Sequence, residues 1–156
     1  MNTSFFIKLG FLFTSLLFVN NFSFFDSNQA GPDKYKKLWE EVAKYEKDAL
    51  PKSALETVEE IYNLAMSEKN DKQIIKSIIY RLKYTNILEE EGYAKSIEKL
   101  ESEIPKVEGT AKSMLHLLLA TMYYDYYNNN SYLINQRSVT SSFEQNDLKT
   151  WDKSKF

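Results

Sequence analysis

Two amphipathic patterns that meet at the polar break Lys69-Asn70-Asp71 constrain this chain more than any other feature. Before the break, Ala54, Leu55, Val58, Ile61, Tyr62 and Ala65 recur at spacings of three and four; after it, Ile74, Ile75, Ile78, Ile79, Leu82 and Ile87 do the same. That period belongs to helices with one apolar stripe each, and a break of so few residues folds the second helix back on the first. The 156 residues hold only four glycines and three prolines, too few punctuating residues for a turn-dense sandwich or barrel.

Extending the same period in both directions gives an all-α chain of about five antiparallel helices. A first helix, 33–48, carries Tyr35, Leu38, Trp39, Val42 and Tyr45. The second and third span about 51–68 and 71–89, with Pro51 suited to a first helical position and Lys76, Arg81 and Lys83 expected on or beside the wet face of the third. A fourth uses Tyr93, Ala94, Ile97, Leu100 and Ile104 up to Pro105. The fifth rises after Gly109, uses Met114, Leu115, Leu118, Leu119, Met122 and Tyr126, and is expected to stop at Asn128-Asn129-Asn130. Lys-Ser recurs at 52–53, 76–77, 95–96 and 112–113, early in successive helices. Pairs of helices form units of roughly 36 to 43 residues, near the range of helical solenoid repeats. The expectation is an array of tetratricopeptide-like hairpins. The tetratricopeptide signature itself is absent, since Trp39 is followed by Glu46 and Leu55 where a tyrosine and an alanine belong.

The first 30 residues are of another kind. Lys8 precedes the apolar run Leu9 to Val19, whose 11 residues suit a secretory signal. A bilayer span needs about 20. A cleaved signal peptide over 1–30 is preferred to an uncleaved anchor, with Ala30 one candidate end and Asn28 a poor fit to the small residue expected there. No stable membrane span is expected after cleavage. The exported body, placed in the periplasm or cell envelope, keeps the net charge of -2. That charge offers no broad attraction for a phosphate backbone, and nucleic acid is not an expected partner.

No catalytic grouping emerges. Cysteine is absent, which removes disulfides, thiolate metal sites, a cysteine nucleophile and an internal thioester from this chain. His116, the one histidine, lies between Leu115 and Leu117 with Lys112 and Ala120 four residues to either side, so it is expected to be structural and no metal site is assigned. Glu89, Glu90 and Glu91 are consecutive, point in different directions around a helix, and read as a solvated junction rather than a paired-carboxylate centre. Neither a G-x-S-x-G elbow, an S-x-x-K pair nor a phosphate loop occurs. No catalytic residue or cofactor is expected, and the chain is not read as an enzyme.

The unusual local feature is Tyr123-Tyr124-Asp125-Tyr126-Tyr127, whose rings cover more than one helical face. One face fills the core, and the remainder must meet another element, a following domain or a ligand, because tyrosine presents an apolar body with a polar tip. Tyr123, Tyr124, Tyr127 and Trp151 are therefore the expected interaction surface, with core plus domain interface preferred to a sugar- or peptide-stacking platform. The helical domain is taken as 31–132, followed over 133–156 by a loop and the start of a junction to a downstream domain, the polar stretch Ser138 to Asp147 being the loop.

Several segments in order, LPKSAL, IYRLKY, YAKSIEKLESEI, MLHLLLATMYYDYY, NQRSVT and TWD, carry a resemblance over residues 33–156. The chain resembles the N-terminal region of bacterial alpha-2-macroglobulin-like proteins, especially the large envelope proteins of Bacteroidetes. That resemblance implies downstream β-sandwich macroglobulin domains, often with a thioester and a bait region, in a family that traps proteases. None of those parts lies in these 156 residues, so proteases enter only through the full-length family context. The implied role is a non-catalytic helical accessory that docks downstream macroglobulin-type domains or another envelope protein. The alternative is a free-standing periplasmic tetratricopeptide-like module that binds a peptide, glycan or partner protein.

Overall fold

A computed structural model describes residues 32–137 and 147–156. The expected signal peptide and most of the expected 138–147 loop lie outside the described residues. Among those described, the chain is all-helical, with five α-helices and no strand. They are α1 (Pro32–Lys47), α2 (Pro51–Glu68), α3 (Asp71–Leu88), α4 (Gly92–Glu103) and α5 (Gly109–Asn135), followed by two single 3-10 turns at Leu148–Thr150 and Lys153–Lys155.

Local chemistry sets the connections. After α1, the Leu50 amide reaches back to the Tyr45 carbonyl at 2.9 Å and Ala49 adopts a left-handed φ of 56°, closing the helix where a glycine is more usual. Lys69 does the same for α2. Asn70 then caps α3, its side-chain oxygen accepting from the Gln73 amide at 3.2 Å, with Asp71 in the first turn against the positive end of the helix dipole. Gly92 is required at the turn into α4 for another reason. A Cβ there would sit 2.5 Å from Asn86 Cα and 2.8 Å from the Thr85 carbonyl oxygen, so the start of α4 lies directly on the backbone of α3. Pro105 lies in a 3-10 turn, Ile104–Lys106, that ends α4.

Each helix packs on the next, and α5 packs on both α4 and α3. Tyr35 near the start of α1 donates to Glu68 at the end of α2 (2.6 Å), which fixes those two as antiparallel. Alternate helices run parallel: the α1 to α3 hydrogen bonds Trp39 to Gln73 and Tyr84 to Glu46 link residues 34 and 38 apart, a nearly constant offset. The core between the layers is built from Val42, Val58, Ile61, Ile78, Ile97, Leu100 and Leu115, all buried.

Three expectations about individual positions are corrected. Arg81, assigned to the wet side of α3, is buried, because Glu59 of α2 and Glu103 of α4 close on its guanidinium from both sides. Ile87 is 51% exposed, since the apolar stripe of α3 outruns its cover. The fifth helix does not stop at Asn128-Asn129-Asn130 but continues to Asn135. Asparagine costs a helix only a few tenths of a kcal/mol. Here Asn130 donates to the Tyr126 carbonyl at 2.8 Å, Ser131 to the Asn128 carbonyl at 3.2 Å, and Ile134 is buried one turn further on.

Candidate functional site

The tail after residue 147 returns across the tyrosine end of α5. Two Asx turns shape it: the Asp147 carboxylate accepts from the Lys149 amide at 2.9 Å and that of Asp152 from the Ser154 amide at 2.7 Å. Leu148 is buried between tail and body, Arg137 donates to the Trp151 carbonyl at 2.7 Å, and Lys149 pairs with Glu91 at the start of α4. These anchors lay Trp151 on Tyr123, centroids 5.4 Å apart and planes 20° apart, and bring Phe156 to 5.6 Å from Tyr127 and 6.0 Å from Tyr126. Tyr123 also donates to Glu101 of α4, and burial, then that hydrogen bond, pushes its phenol well above the usual range.

Of the four residues expected to form an interaction surface, Tyr123, Tyr127 and Trp151 are thus gathered into one cluster within the chain. Tyr124 is not: it stands 67% exposed outside the cluster. Tyr126 and Phe156, which sequence reasoning left out, belong to the cluster. The signal for Phe156 was present, since a second aromatic five residues after Trp151 in a polar tail needs a partner.

Beside the cluster lies a cleft of about 370 Å³ where α3, α4, α5 and the tail converge. Tyr93 and Tyr126 stand nearly parallel there, centroids 6.4 Å apart and planes 12° apart, and the Tyr93 hydroxyl donates to the Met122 carbonyl at 3.2 Å. Burial first, then Asp125, raises the Tyr93 pKa far above its ordinary value, so it is a neutral phenol. Asn86 and Asn129 also line the cleft, and the Glu91 to Lys149 ion pair forms its rim. The three glutamates expected at a solvated junction part company as expected, Glu89 pairing with Lys95 at 2.9 Å while Glu91 takes Lys149.

A second polar grouping is internal. The Arg81 Nε donates to Glu59 at 2.7 Å, its Nη1 lies 3.0 Å from Glu103 without hydrogen-bond alignment, and its guanidinium sits 4.3 Å from the centre of the Tyr62 ring. Tyr62 donates to Glu103 at 2.6 Å and Lys106 to the same carboxylate at 3.0 Å. Burial opposes the charge on Glu103, but Tyr62, Lys106 and Arg81 outweigh it and hold the carboxyl below its ordinary pKa. A third grouping joins α1 to α3, with Lys76 Nζ 3.8 Å from the centre of the Trp39 ring and Tyr80 packed on the same indole at 4.8 Å. These two networks consume their charges in joining helices.

Among the described residues no three His, Cys, Asp or Glu side chains are placed to hold a metal ion, and His116 is exposed on α5. No helix among them is long and apolar enough to cross a membrane. No protein-family model, curated protein or solved structure matches the chain.

Proposed function

We propose that this chain is a non-catalytic helical docking segment, the accessory front end of an alpha-2-macroglobulin-like envelope protein that reaches the periplasm by a cleaved signal. The observation that carries the docking role is the outer face of α5. From Ser113 to Tyr124 this helix has no Asp, Glu, Lys or Arg, and Met114, Leu117 and Tyr124 stand 46%, 64% and 67% exposed along one side, with Tyr132 exposed two turns further on beyond Asp125 and Asn128. Exposed helix faces ordinarily carry charge, and a contiguous apolar stripe marks a surface that meets something. The family assignment rests on the order of the sequence segments quoted above. A tetratricopeptide-like arrangement is supported by the antiparallel α1 and α2 and the parallel offset of α1 and α3. In such an array α5 holds the place of a first helix whose second helix would lie on the bare stripe.

An immunoblot of envelope fractions, probed with antibody against residues 33–156, tests the assignment. A band far above 18.3 kDa supports a front-end segment, and a band near 18.3 kDa sinks it.

The cleft favours a second reading, a free-standing module for a glycan or peptide. Sequence alone offered no acidic or amide cluster at defined spacing to accompany the tyrosines, whereas the fold brings Asn86 and Asn129 beside Tyr93 and Tyr126. Thermal stabilisation of the full chain by a neutral oligosaccharide, lost in Asn129→Ala, supports it; an unchanged melting temperature across a panel of neutral and N-acetylated oligosaccharides and short peptides discards it.

A further inference from the structure

We propose that the cleft where α3, α4, α5 and the tail converge binds a neutral N-acetylated sugar, with the carboxamides of Asn86 and Asn129 taking its acetamido group and hydroxyls and the rings of Tyr93 and Tyr126 its apolar face. The inference rests on the second reading above, the cleft as a ligand site, and names the class of ligand.

Charge gives the first reason. Glu91 and Lys149 are the two charged side chains that line the cleft, and they are paired with each other. A carboxylate, phosphate or ammonium ligand gains a counter-ion there only by breaking that pair, whereas a neutral ligand leaves it intact.

Unspent amides give the second. Asn86 on α3 and Asn129 on α5 reach the cleft from two different helices, and neither side chain has a hydrogen-bond partner among the described residues. Asn130, by contrast, gives its amide to the Tyr126 carbonyl. A carboxamide offers two N–H donors and one carbonyl acceptor, the complement of the carbonyl and N–H of an acetamido group. Each such bond gains little over water when taken singly, and a few that converge on one small ligand fix its orientation.

Shape gives the third, and separates a sugar from a peptide. Tyr93 and Tyr126 stand with their planes 12° apart, and the Met122 carbonyl holds the Tyr93 hydroxyl. Two rings of common orientation with polar tips suit a ligand that is apolar on one face and hydroxylated at its edges, as a pyranose is. The volume of about 370 Å³ is at the small end of the range for ligand sites, which suits a compact ligand. A peptide is taken up in extended form along a sheet edge or as a helix in an apolar groove. The described residues contain no strand, and three asparagines line this cleft.

The test is isothermal titration of the full chain with three neutral probes: N,N′-diacetylchitobiose, cellobiose, and the N-acetylated, C-amidated dipeptide of alanine. The expected result is binding of N,N′-diacetylchitobiose at least tenfold tighter than of the other two. Asn129 is exposed, so Asn129→Ala and Asn129→Asp leave the core intact, and each should weaken that binding about tenfold, the aspartate by losing the donor and adding a charge. Asn128→Ala, also exposed and outside the cleft, should not change it. Affinity unchanged by both Asn129 variants overturns the proposal. Cellobiose bound as tightly overturns the N-acetylated class and leaves a glycan module standing, and the dipeptide bound tightest overturns the sugar in favour of a peptide module. No heat from any of the three probes overturns this inference and the ligand-module reading together.

Discussion

Tyr123 and Trp151 stack face to face with centroids 5.4 Å apart, although one is on the longest helix and the other in a tail of single turns. The pair links tail to body beside the buried Leu148, reinforced by Phe156 against both rings. Trp151→Ala removes a partly buried indole and its ring contacts, so the expected cost is about 1–3 kcal/mol, below that of a fully buried tryptophan. Urea denaturation of the full chain checks the value. Equal stability of the variant and the parent would mean that the tail does not hold the α5 end.

Glu103 makes stability depend on acid. Its folded-state pKa lies below its ordinary value of 4.5, so its contribution is complete above that value and is lost as pH falls through the folded value. The urea midpoint should hold above pH 5 and fall steeply below about pH 4.5. Glu103→Gln should cost about 1–3 kcal/mol at neutral pH, because Arg81 keeps Glu59 but loses the second carboxylate and the Tyr62 hydroxyl loses a charged acceptor, and should flatten the acid limb. An acid limb as steep in the variant as in the parent places the titration elsewhere.

At the alkaline end the sign reverses. Burial, then the hydrogen bond to Glu103, raises Tyr62 from 10.0 to about 12, so the folded state keeps the neutral phenol after the unfolded chain has begun to ionise. The contribution is complete below pH 10 and is lost between pH 10 and about 12. Phenolate absorbance from the buried Tyr62 should appear only together with the loss of helical circular dichroism. A single smooth stage with no link to unfolding would contradict this.

Gly92 and Gly109 should respond differently to alanine. At Gly92 the new methyl meets the backbone of α3 at 2.5 Å, and Gly92→Ala should cost about 3 kcal/mol or more by prising α4 from α3. Gly109 has open space around it but a φ of +57°, so Gly109→Ala should cost only about 1–2 kcal/mol from backbone strain. Thermal melts of the two variants decide the order, and equal losses would remove the close approach as the reason for Gly92.

The helices themselves were legible in the residues. Val58, Ile61, Ala65, Ile74, Ile78 and Leu82 are buried where the period of the second and third stripes places them, and Pro51, Asn70 and Pro105 stand at helix ends. Arg81 was misread because its partners are distant in sequence, Glu59 being 22 residues away. Likewise, Met114 was placed beside Leu115 on the apolar stripe of the fifth helix, yet Met114 is 46% exposed and only Leu115 is buried, since periodicity ranks faces by their apolar content and α5 is apolar on several.

Composition and a three-to-four residue spacing determine local structure, because each helix needs only neighbours in sequence to close its hydrogen bonds and one apolar side to be covered. From these the sequence determined that the described chain is helical, where most helices begin and end, and that it carries no thiol chemistry. The tertiary structure alone decided which tyrosines of the Tyr123 to Tyr127 block are used and which remain bare, that an arginine is buried between two glutamates, and that the asparagine run is helix. Those outcomes turn on contacts between residues far apart in the chain, where a few ångströms in the placement of one helix determine whether a charge is paired, a ring is stacked or a face is left to water.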